Sequence, residues 1–278
     1  MLFLKDIFFA HPGGPELFGG LSLGLPRGGF LAILGANGSG KSTLLDILSG
    51  ISRPLSGTVA LDGSEKNLRD GTALVPENPD HYILGATPCE ELSLCLRAND
   101  IKEQRERKER EKRETKEKQG TEGKGKEAKG KEEKGKEEKR EEDKGKENEG
   151  EDGTFPGGIA ALAEKWSLTP LLDTPVEHLS RGEKKRLALA SALARRPGVI
   201  LFDEPFSGLD YPGILSLTAD LAALKKDGAT VAVATHEPGF VENLCETWLL
   251  LGKPGPLVLK REELSGELLS ERGVRPFL

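Results

Sequence analysis

A glycine-rich stretch near the start of the chain has the residue types and spacing needed to hold phosphate. The segment Gly35–Ser42 reads Gly-Ala-Asn-Gly-Ser-Gly-Lys-Ser and fits the pattern GxxxxGK[ST]. Its glycines let the backbone curl so that successive N–H groups point at phosphate oxygens, and the positive end of a following helix adds to the attraction. Lys41 would then reach the β- and γ-phosphates of a nucleotide, and Ser42 would offer its hydroxyl to Mg²⁺.

Two adjacent carboxylates lie much further along the chain. The apolar run Val199–Phe202 is typical of a buried strand, and Asp203 and Glu204 follow it directly. Asp203 would belong to the Mg²⁺ shell, and Glu204 would act as the general base that orients the attacking water. By itself, a strand that ends in acids is also common at ordinary sheet edges. The combination with the phosphate loop is what favours nucleotide hydrolysis.

Short apolar runs on either side of these residues predict the elements that must position them. Strands are predicted at Leu2–Ala10, Leu21–Leu25, Gly29–Leu34, Thr58–Leu61, Thr72–Val75, Val199–Phe202, Thr230–Ala234, Thr247–Leu251 and Leu257–Lys260. Helices are predicted at Lys41–Ser49, Glu90–Leu96, Gly158–Trp166, Arg181–Arg195, Tyr211–Lys226 and Phe240–Cys245. The alternation of strand and helix in the second half indicates a parallel sheet with helices on its faces.

The segment Lys102–Thr154 interrupts this pattern. Ala128 is its only aliphatic residue, and it holds as many acidic as basic side chains. It cannot bury enough apolar surface to offset its ordering entropy. Acid–base pairs four residues apart, such as Glu103/Arg107, favour a solvated helix in its first part, and the recurring glycines predict disorder over Gly120–Thr154. Without an apolar seam, a coiled coil is excluded.

The remaining composition narrows the class of protein. The net charge of −6 belongs to the residues outside that segment, so no nucleic-acid partner is expected. Cys89, Cys95 and Cys245 form no metal-ligand spacing and fit a reduced, cytosolic protein. The chain has no run of about 18 apolar residues, so work at a membrane would need another subunit.

A short motif at the start of a predicted helix narrows the family. Leu179–Glu183 resembles the signature sequence LSGGQ of ABC (ATP-binding cassette) ATPases, and it lies in order between the phosphate loop and the aspartate strand. Ser180 and Gly182 match the family, whereas Arg181 and Glu183 depart from it. In the family this helix N-terminus contacts the γ-phosphate held by the opposite subunit. Alone, Ser180 would be an N-cap, and it can serve as both.

Three further positions extend the resemblance. Ser207–Asp210 resembles the D-loop, which in the family bridges the two sites of a dimer, and His236 matches the switch histidine that contacts the γ-phosphate. A lone histidine after a strand is otherwise most often a surface residue. His11 stands where the family commonly has an aromatic ring that stacks on adenine. Imidazole stacks less well than tyrosine, so that role stays open.

The segment Val75–Asp80 is similar to the family's Q-loop, with Glu77 in place of glutamine. In the family this residue contacts the metal and the water and couples to the membrane partner. A carboxylate can ligate Mg²⁺, but it adds negative charge near the γ-phosphate. The alternative is a simple turn made by Pro76 and Pro79. The residues that follow, Tyr82–Leu84, are predicted either to contact a membrane protein or to belong to the core.

One subgroup of the family fits best. Ala10–Gly14, Val75–Asp80 and Glu271–Phe277 resemble the ATPase subunits of energy-coupling-factor transporters, which import cobalt, nickel or vitamins. The resemblance implies an α/β P-loop NTPase fold of the ABC type: a mixed sheet with flanking helices, an antiparallel β subdomain and an α-helical subdomain. A single ABC ATPase domain would span residues 1–278, interrupted by the charged insert 102–154.

The resemblance also implies a function and its partners. The chain would be the ATP-hydrolysing subunit that powers import of a metal ion or vitamin through a separate transmembrane subunit. It would form a homodimer, or a heterodimer with another ABC subunit, at the inner face of the cell membrane. ATP and Mg²⁺ are the implied cofactors. The resemblance implies that Glu204, His236 and Lys41 are catalytic. It implies that Ser42, Asp203 and Glu77 bind the metal. The implied ATP-binding residues are His11, Gly35, Asn37, Gly38, Ser39, Gly40, Lys41, Ser42, Thr43, Ser180, Gly182 and Asp210.

Two alternatives stay open at this point. One is a soluble ABC ATPase in DNA repair or assembly, because repair ATPases also carry an insert before the signature. The insert of repair ATPases is a coiled coil, whereas this insert lacks the apolar seam that a coiled coil needs, which counts against this alternative. The other is a weakly active partner in a heterodimer. The departures at Glu77, Arg181 and Glu183 favour it, and the intact phosphate loop and paired carboxylates oppose it.

Overall fold

A computed structural model describes residues 1–65, 67–98, 100, 101, 104, 107, 108, 157–195 and 197–276. Its strands, numbered in chain order, are β1 Leu2–Ala10, β2 Glu16–Leu25, β3 Phe30–Leu34, β4 Ser56–Leu61, β5 Thr72–Val75, β6 Val199–Asp203, β7 Thr230–Ala234, β8 Thr247–Leu250 and β9 Leu257–Leu259. Its helices are α1 Lys41–Leu48, α2 Asn67–Gly71, α3 with residues 88–98, α4 Gly157–Lys165, α5 Arg181–Ala194, α6 Tyr211–Lys226 and α7 Gly266–Glu271.

These strands form two sheets. The smaller is antiparallel, in the order β2-β1-β4. The larger has the order β5-β6-β7-β3-β8-β9 and is parallel except for its edge pair, β8 and β9. The expected combination of a mixed sheet with an antiparallel subdomain is therefore confirmed.

The larger sheet is buried on both faces. Along β3, Phe30, Ala32 and Leu34 face one core, which also holds buried residues of α3–α6. Leu31 and Ile33 face a second core, shared with α1 and the antiparallel sheet. A strand covered on both faces has no polar side, which explains why it reads as a continuous apolar run.

Most predicted elements are found, with shifted ends. β5, α6 and β7 have the predicted bounds, whereas β2 begins at Glu16, earlier than the predicted Leu21. The helix predicted at Phe240–Cys245 is wrong: a single 3₁₀ turn, Pro238–Phe240, is followed by further turns that end at Cys245. Proline and glycine side by side disfavour a regular α-helix there.

The short helices α2 and α7 were not predicted. α7 is capped at Ser265, whose hydroxyl accepts a hydrogen bond from the Leu268 N–H at 3.1 Å. In the charged insert, residues 104, 107 and 108 are helical. The disorder predicted for Gly120–Thr154 lies outside the described residues. Among the helices of the described residues, none is long and apolar enough to cross a membrane.

The strand order brings the candidate site residues together at the carboxyl ends of the parallel strands. β6, β7 and β3 are neighbours and parallel, so their carboxyl ends meet. The phosphate loop follows β3, Asp203 ends β6, and His236 lies two residues after β7. Ligands of parallel α/β sheets bind at this edge.

Candidate active site

The loop between β3 and α1 is shaped to receive an anion. Gly38 and Gly40 have φ values of 80° and 97°, a left-handed conformation that favours glycine. A Cβ on Gly35 would lie 2.4 Å from Ser39 Oγ and 3.1 Å from the Leu251 carbonyl oxygen, so a larger residue would displace Ser39 and crowd the backbone. Among the described residues, Ser39 Oγ is buried with no hydrogen-bond partner. Because α1 has no side-chain cap, its first N–H groups are also available, and the loop fits a phosphate.

Lys41 lies between this loop and the carboxylates. Its buried ammonium donates a hydrogen bond to the Gly35 carbonyl at 2.9 Å. The same nitrogen is 3.7 Å from Glu204 Oε1. The cation is therefore held at the mouth of the loop, where a nucleotide phosphate would arrive.

Asp203 is a buried carboxylate with other carboxylates beside it. Its burial raises the pKa of the carboxyl group, and the neighbouring Glu204 and Glu77 raise it further. A hydrogen bond with the Ser42 side chain and the charge of Lys41 oppose that rise. A divalent ion would offset the excess negative charge.

Among the described residues, no three side chains of His, Cys, Asp or Glu form a metal cluster. Mg²⁺ needs only one or two protein oxygens beside phosphate and water, and Asp203 with Ser42 fits that demand.

Glu204 is held in a strained conformation that aims its carboxylate at the same place. The residue is 8% exposed, and its φ of 44° lies in the left-handed region. Its N–H donates to the Ala234 carbonyl at 2.9 Å, and one carboxylate oxygen lies 2.9 Å from His236 Nδ1. Such a backbone costs of order 1–3 kcal/mol and persists where several contacts impose it. A carboxylate oriented by an imidazole is suited to accept a proton from water.

One cavity of about 580 Å³ brings most of the predicted residues together. It is lined by Asn37, Gly38, Gly40, Lys41, Ser42 and Thr43 of the loop, and by His11, Glu77, Asp203, Glu204 and His236. The imidazole of His11 is at its rim, with Nε2 3.4 Å from the Thr43 hydroxyl, so a base could stack there. Gly35 and Ser39 lie within the loop itself.

The other predicted residues, Ser180, Gly182 and Asp210, do not line this cavity. Ser180 caps α5 in a capping box with Glu183, and Asp210 caps α6 by accepting from the Gly213 N–H at 3.0 Å. A Cβ on Gly182 would lie 3.5 Å from the Gly208 carbonyl, so the two helix starts are side by side. They form a second surface that a nucleotide in the chain's own cavity does not touch.

Two of the three departures from the family pattern, Glu77 and Arg181, contact each other. Arg181 Nη2 lies 3.8 Å from Glu77 Oε1, and one turn further Lys184 Nζ lies 2.8 Å from Asp80 Oδ1. Both ion pairs join α5 to the segment after β5. No local pattern predicts these pairs, since more than 100 residues separate the partners.

Lys185 is a residue of the site that the sequence analysis missed. It is 2% exposed, and its ammonium donates to the carbonyls of Glu204 at 3.1 Å and Glu77 at 3.3 Å. Burial lowers the pKa of Lys185 to about 8, against the opposite pull of the nearby carboxylates. A signal was present: Lys185 precedes the buried Leu189 and Ala192 at helical spacing, so it lies on the apolar face of α5.

Comparison with known proteins agrees with this geometry. Residues 18–207 match the family described as ABC transporter. The cobalt import ATP-binding protein CbiO of Rhodobacter capsulatus is 34% identical, over 100% of this chain and 86% of that protein. The energy-coupling factor transporter ATP-binding protein EcfA of Methanosphaera stadtmanae is 29% identical, over 85% of this chain and 70% of that protein.

A solved structure shares the fold. It is a dimeric ATP-binding cassette in a post-hydrolysis state with bound ADP and Pi. It superposes with a TM-score of 0.65 at 21% identity, covering 95% of this chain and all of that one. The family match, the relatives and the cavity converge: the chain belongs to the ABC transporter family, as an ATP-hydrolysing subunit of the CbiO and EcfA type.

Proposed function

We propose that this chain binds MgATP in the cavity beside the phosphate loop and hydrolyses it to drive import of a small solute through a separate membrane protein. One observation carries the proposal: the loop, Asp203 and the Glu204–His236 pair converge on a single cavity. These are the parts that nucleotide hydrolysis needs, namely a phosphate cradle, a metal position and a base.

Different residues of the chain would bind the phosphates, hold the metal and accept the proton. The loop N–H groups and Lys41 bind the phosphates, and Ser42 and Asp203, joined by Glu77, hold Mg²⁺. The ion neutralises phosphate charge when bound. Glu204 accepts the proton of the attacking water, and His236 keeps that carboxylate oriented through the 2.9 Å contact. His11 stacks on the base at the rim of the cavity.

A second ABC subunit completes the site. Ser180, Gly182 and Asp210 form a surface outside the chain's own cavity, and the N-terminus of α5 offers N–H groups to an anion. In a dimer, identical or mixed, this surface would face the γ-phosphate held by the other subunit. The two subunits would close on each other when ATP binds and open after hydrolysis, and this movement would drive transport through the membrane protein.

The segment after Glu77 is the proposed contact with the membrane subunit. Tyr82 and Ile83 pack against the core, whereas Leu84 is 78% exposed. An exposed leucine next to the nucleotide site can transmit closure to a partner at the inner face of the membrane. One relative is named a cobalt import protein, which favours a metal ion as the solute, and the resemblance to energy-coupling-factor transporters adds a vitamin as the other candidate.

Affinity purification of the tagged chain from detergent-solubilised membranes tests this assignment. We expect a polytopic membrane protein to co-purify with the wild type. Leu84→Glu should release it while leaving the ATPase activity of the isolated chain within about twofold, because Leu84 is not among the residues that line the nucleotide cavity. Leu55→Glu is the matched control, since Leu55 is 71% exposed.

Two outcomes would contradict the proposal. One is capture of the membrane protein by Leu84→Glu as efficiently as by the wild type. The other is a clean homodimer whose ATPase is stimulated by DNA, which would point to an ABC ATPase outside transport.

A further inference from the structure

A single buried ammonium joins two separate segments of the site. Lys185 Nζ lies 3.1 Å from the carbonyl oxygen of Glu204 and 3.3 Å from that of Glu77. A buried ammonium needs hydrogen-bond acceptors close to it. Both hydrogen bonds that Lys185 donates go to backbone carbonyls and not to either carboxylate, so the ammonium acts on the backbone position of Glu204 and Glu77.

Of the two carbonyl groups, that of Glu204 belongs to the residue with the strained backbone. Its residue is in the left-handed region, and its N–H is already bonded to the Ala234 carbonyl. With Lys185 on the carbonyl and His236 on the carboxylate, contacts from three elements impose one orientation. Without the ammonium, the Glu204 carbonyl would keep only the longer hydrogen bond from the Ser207 N–H at 3.3 Å, and its peptide group could relax from the strained conformation.

We propose that Lys185 is a positioning residue for hydrolysis. Its ammonium fixes the backbone of Glu204, and so aligns the carboxylate with the attacking water. The same ammonium ties in the segment that carries Glu77. Because both carbonyls share one cation, a displacement of the Glu77 segment by a partner is felt at Glu204. The inference rests on the proposed role of Glu204 as the base.

The neighbouring cation makes a natural control. Lys184 is on the same helix and carries the same charge, but it pairs with the half-exposed carboxylate of Asp80 at 2.8 Å. That pair lies at the edge of the Glu77 segment and touches neither carbonyl. The side chain of Asp80 is 55% exposed and that of Lys184 is 17% exposed, so solvent screens the pair from the Asp80 side and its contribution is modest. Losing the charge at position 184 should therefore leave hydrolysis nearly unchanged.

Steady-state kinetics on the full-length protein test the proposal, with ATP affinity measured separately. Lys185→Met keeps the length of the side chain and removes its donors. We expect kcat to fall by about tenfold or more with the Kd for ATP within about threefold, since misplacement of a base by an ångström can cost on the order of a hundredfold. Lys184→Met should keep kcat within about twofold, and Lys185→Arg, which retains cationic donors, should restore most of the lost rate.

A merely structural role predicts something else: a lower thermal midpoint, with normal kcat for the protein that still binds ATP. That result, or equal losses in Lys184→Met and Lys185→Met, would overturn the proposal. Should Lys185→Met not fold, Lys185→Leu takes its place; a wild-type kcat in that variant, which has no hydrogen-bond donor, would overturn the proposal.

Glu204→Gln separates this inference from the proposed function. If that variant still hydrolyses ATP at a normal rate, the assignment of the base fails. If it is inactive while Lys185→Met keeps full activity, only the role of Lys185 fails.

Discussion

At the scale of single residues, Glu77 and Arg181, two of the three departures from the ABC pattern, compensate for one another. Glu77 brings a negative charge to the nucleotide site, and Arg181 brings a positive charge within 3.8 Å of it. Both side chains are more than half exposed, so the pair contributes little to stability. What it changes is the local charge, because Arg181 offsets part of the repulsion between Glu77 and the phosphates.

This arrangement leads to a prediction for Glu77→Gln. The amide keeps an oxygen that can face the metal, and the substitution removes one of the two carboxylates near Asp203. We expect ATPase activity within about tenfold of the wild type, measured as kcat/KM. Arg181→Gln in the same background is the matched second variant. Complete loss of activity in Glu77→Gln alone would mean that the carboxylate has a specialised catalytic role.

At the scale of elements, α5 carries most of what is specific to this chain. Its first turns hold the capping box of Ser180 and Glu183, the ion pairs to the Glu77 segment, and Lys185. The cap was predictable from the residue types, since a serine followed three positions later by glutamate is its signature. The contacts with the Glu77 segment were not, since they depend on how β5 and β6 pair.

The cap gives α5 a dependence on pH. Hydrogen bonds with Ser180 lower the pKa of the Glu183 carboxyl from its ordinary value of 4.5. A lowered pKa means that the stabilisation is complete above pH 4.5 and is lost as the pH falls through the lower value. Urea unfolding of the wild type and Glu183→Gln should therefore differ most at neutral pH and converge in acid. The exposed Glu164→Gln is the control, and a difference that grows below pH 4.5 would refute the assignment.

The elements also show where prediction from sequence stops. β5, β7 and α6 were predicted to the residue, because apolar runs between turn residues define them. The helix predicted at Phe240–Cys245 is replaced by turns, because Pro238 and Gly239 begin a 3₁₀ turn that ends at Phe240. The cavity residues were predicted from motifs alone. Lys185 was missed because no local pattern tells which carbonyls a buried lysine will meet.

At the scale of the whole molecule, described residues on the two sides of the charged insert lie close together. A Cβ on Gly158, just after the insert, would lie 3.3 Å from Leu96 of α3, which precedes it. Leu96, Asp100 and Gly158 line the same cavity, away from the nucleotide site. The chain thus returns close to the point it leaves, and the fold does not require a long connection there.

Replacement of residues 102–154 should consequently be tolerated. With a flexible Gly-Ser linker of about ten residues in their place, we expect folding and basal ATPase activity within about twofold of the wild type. A variant with the insert sequence scrambled keeps its length and composition and serves as the control. Loss of ATP binding in the linker variant would show that the insert contributes to the nucleotide site.

The left-handed backbone of Glu204 has a consequence for how such a protein can be improved. Glycine adopts that conformation without strain, and it would also remove one of two adjacent buried carboxylates. The substitution that relieves the fold is therefore the one that deletes the base. A laboratory screen for heat resistance alone would enrich inactive protein at this position, so thermostability and turnover must be selected together.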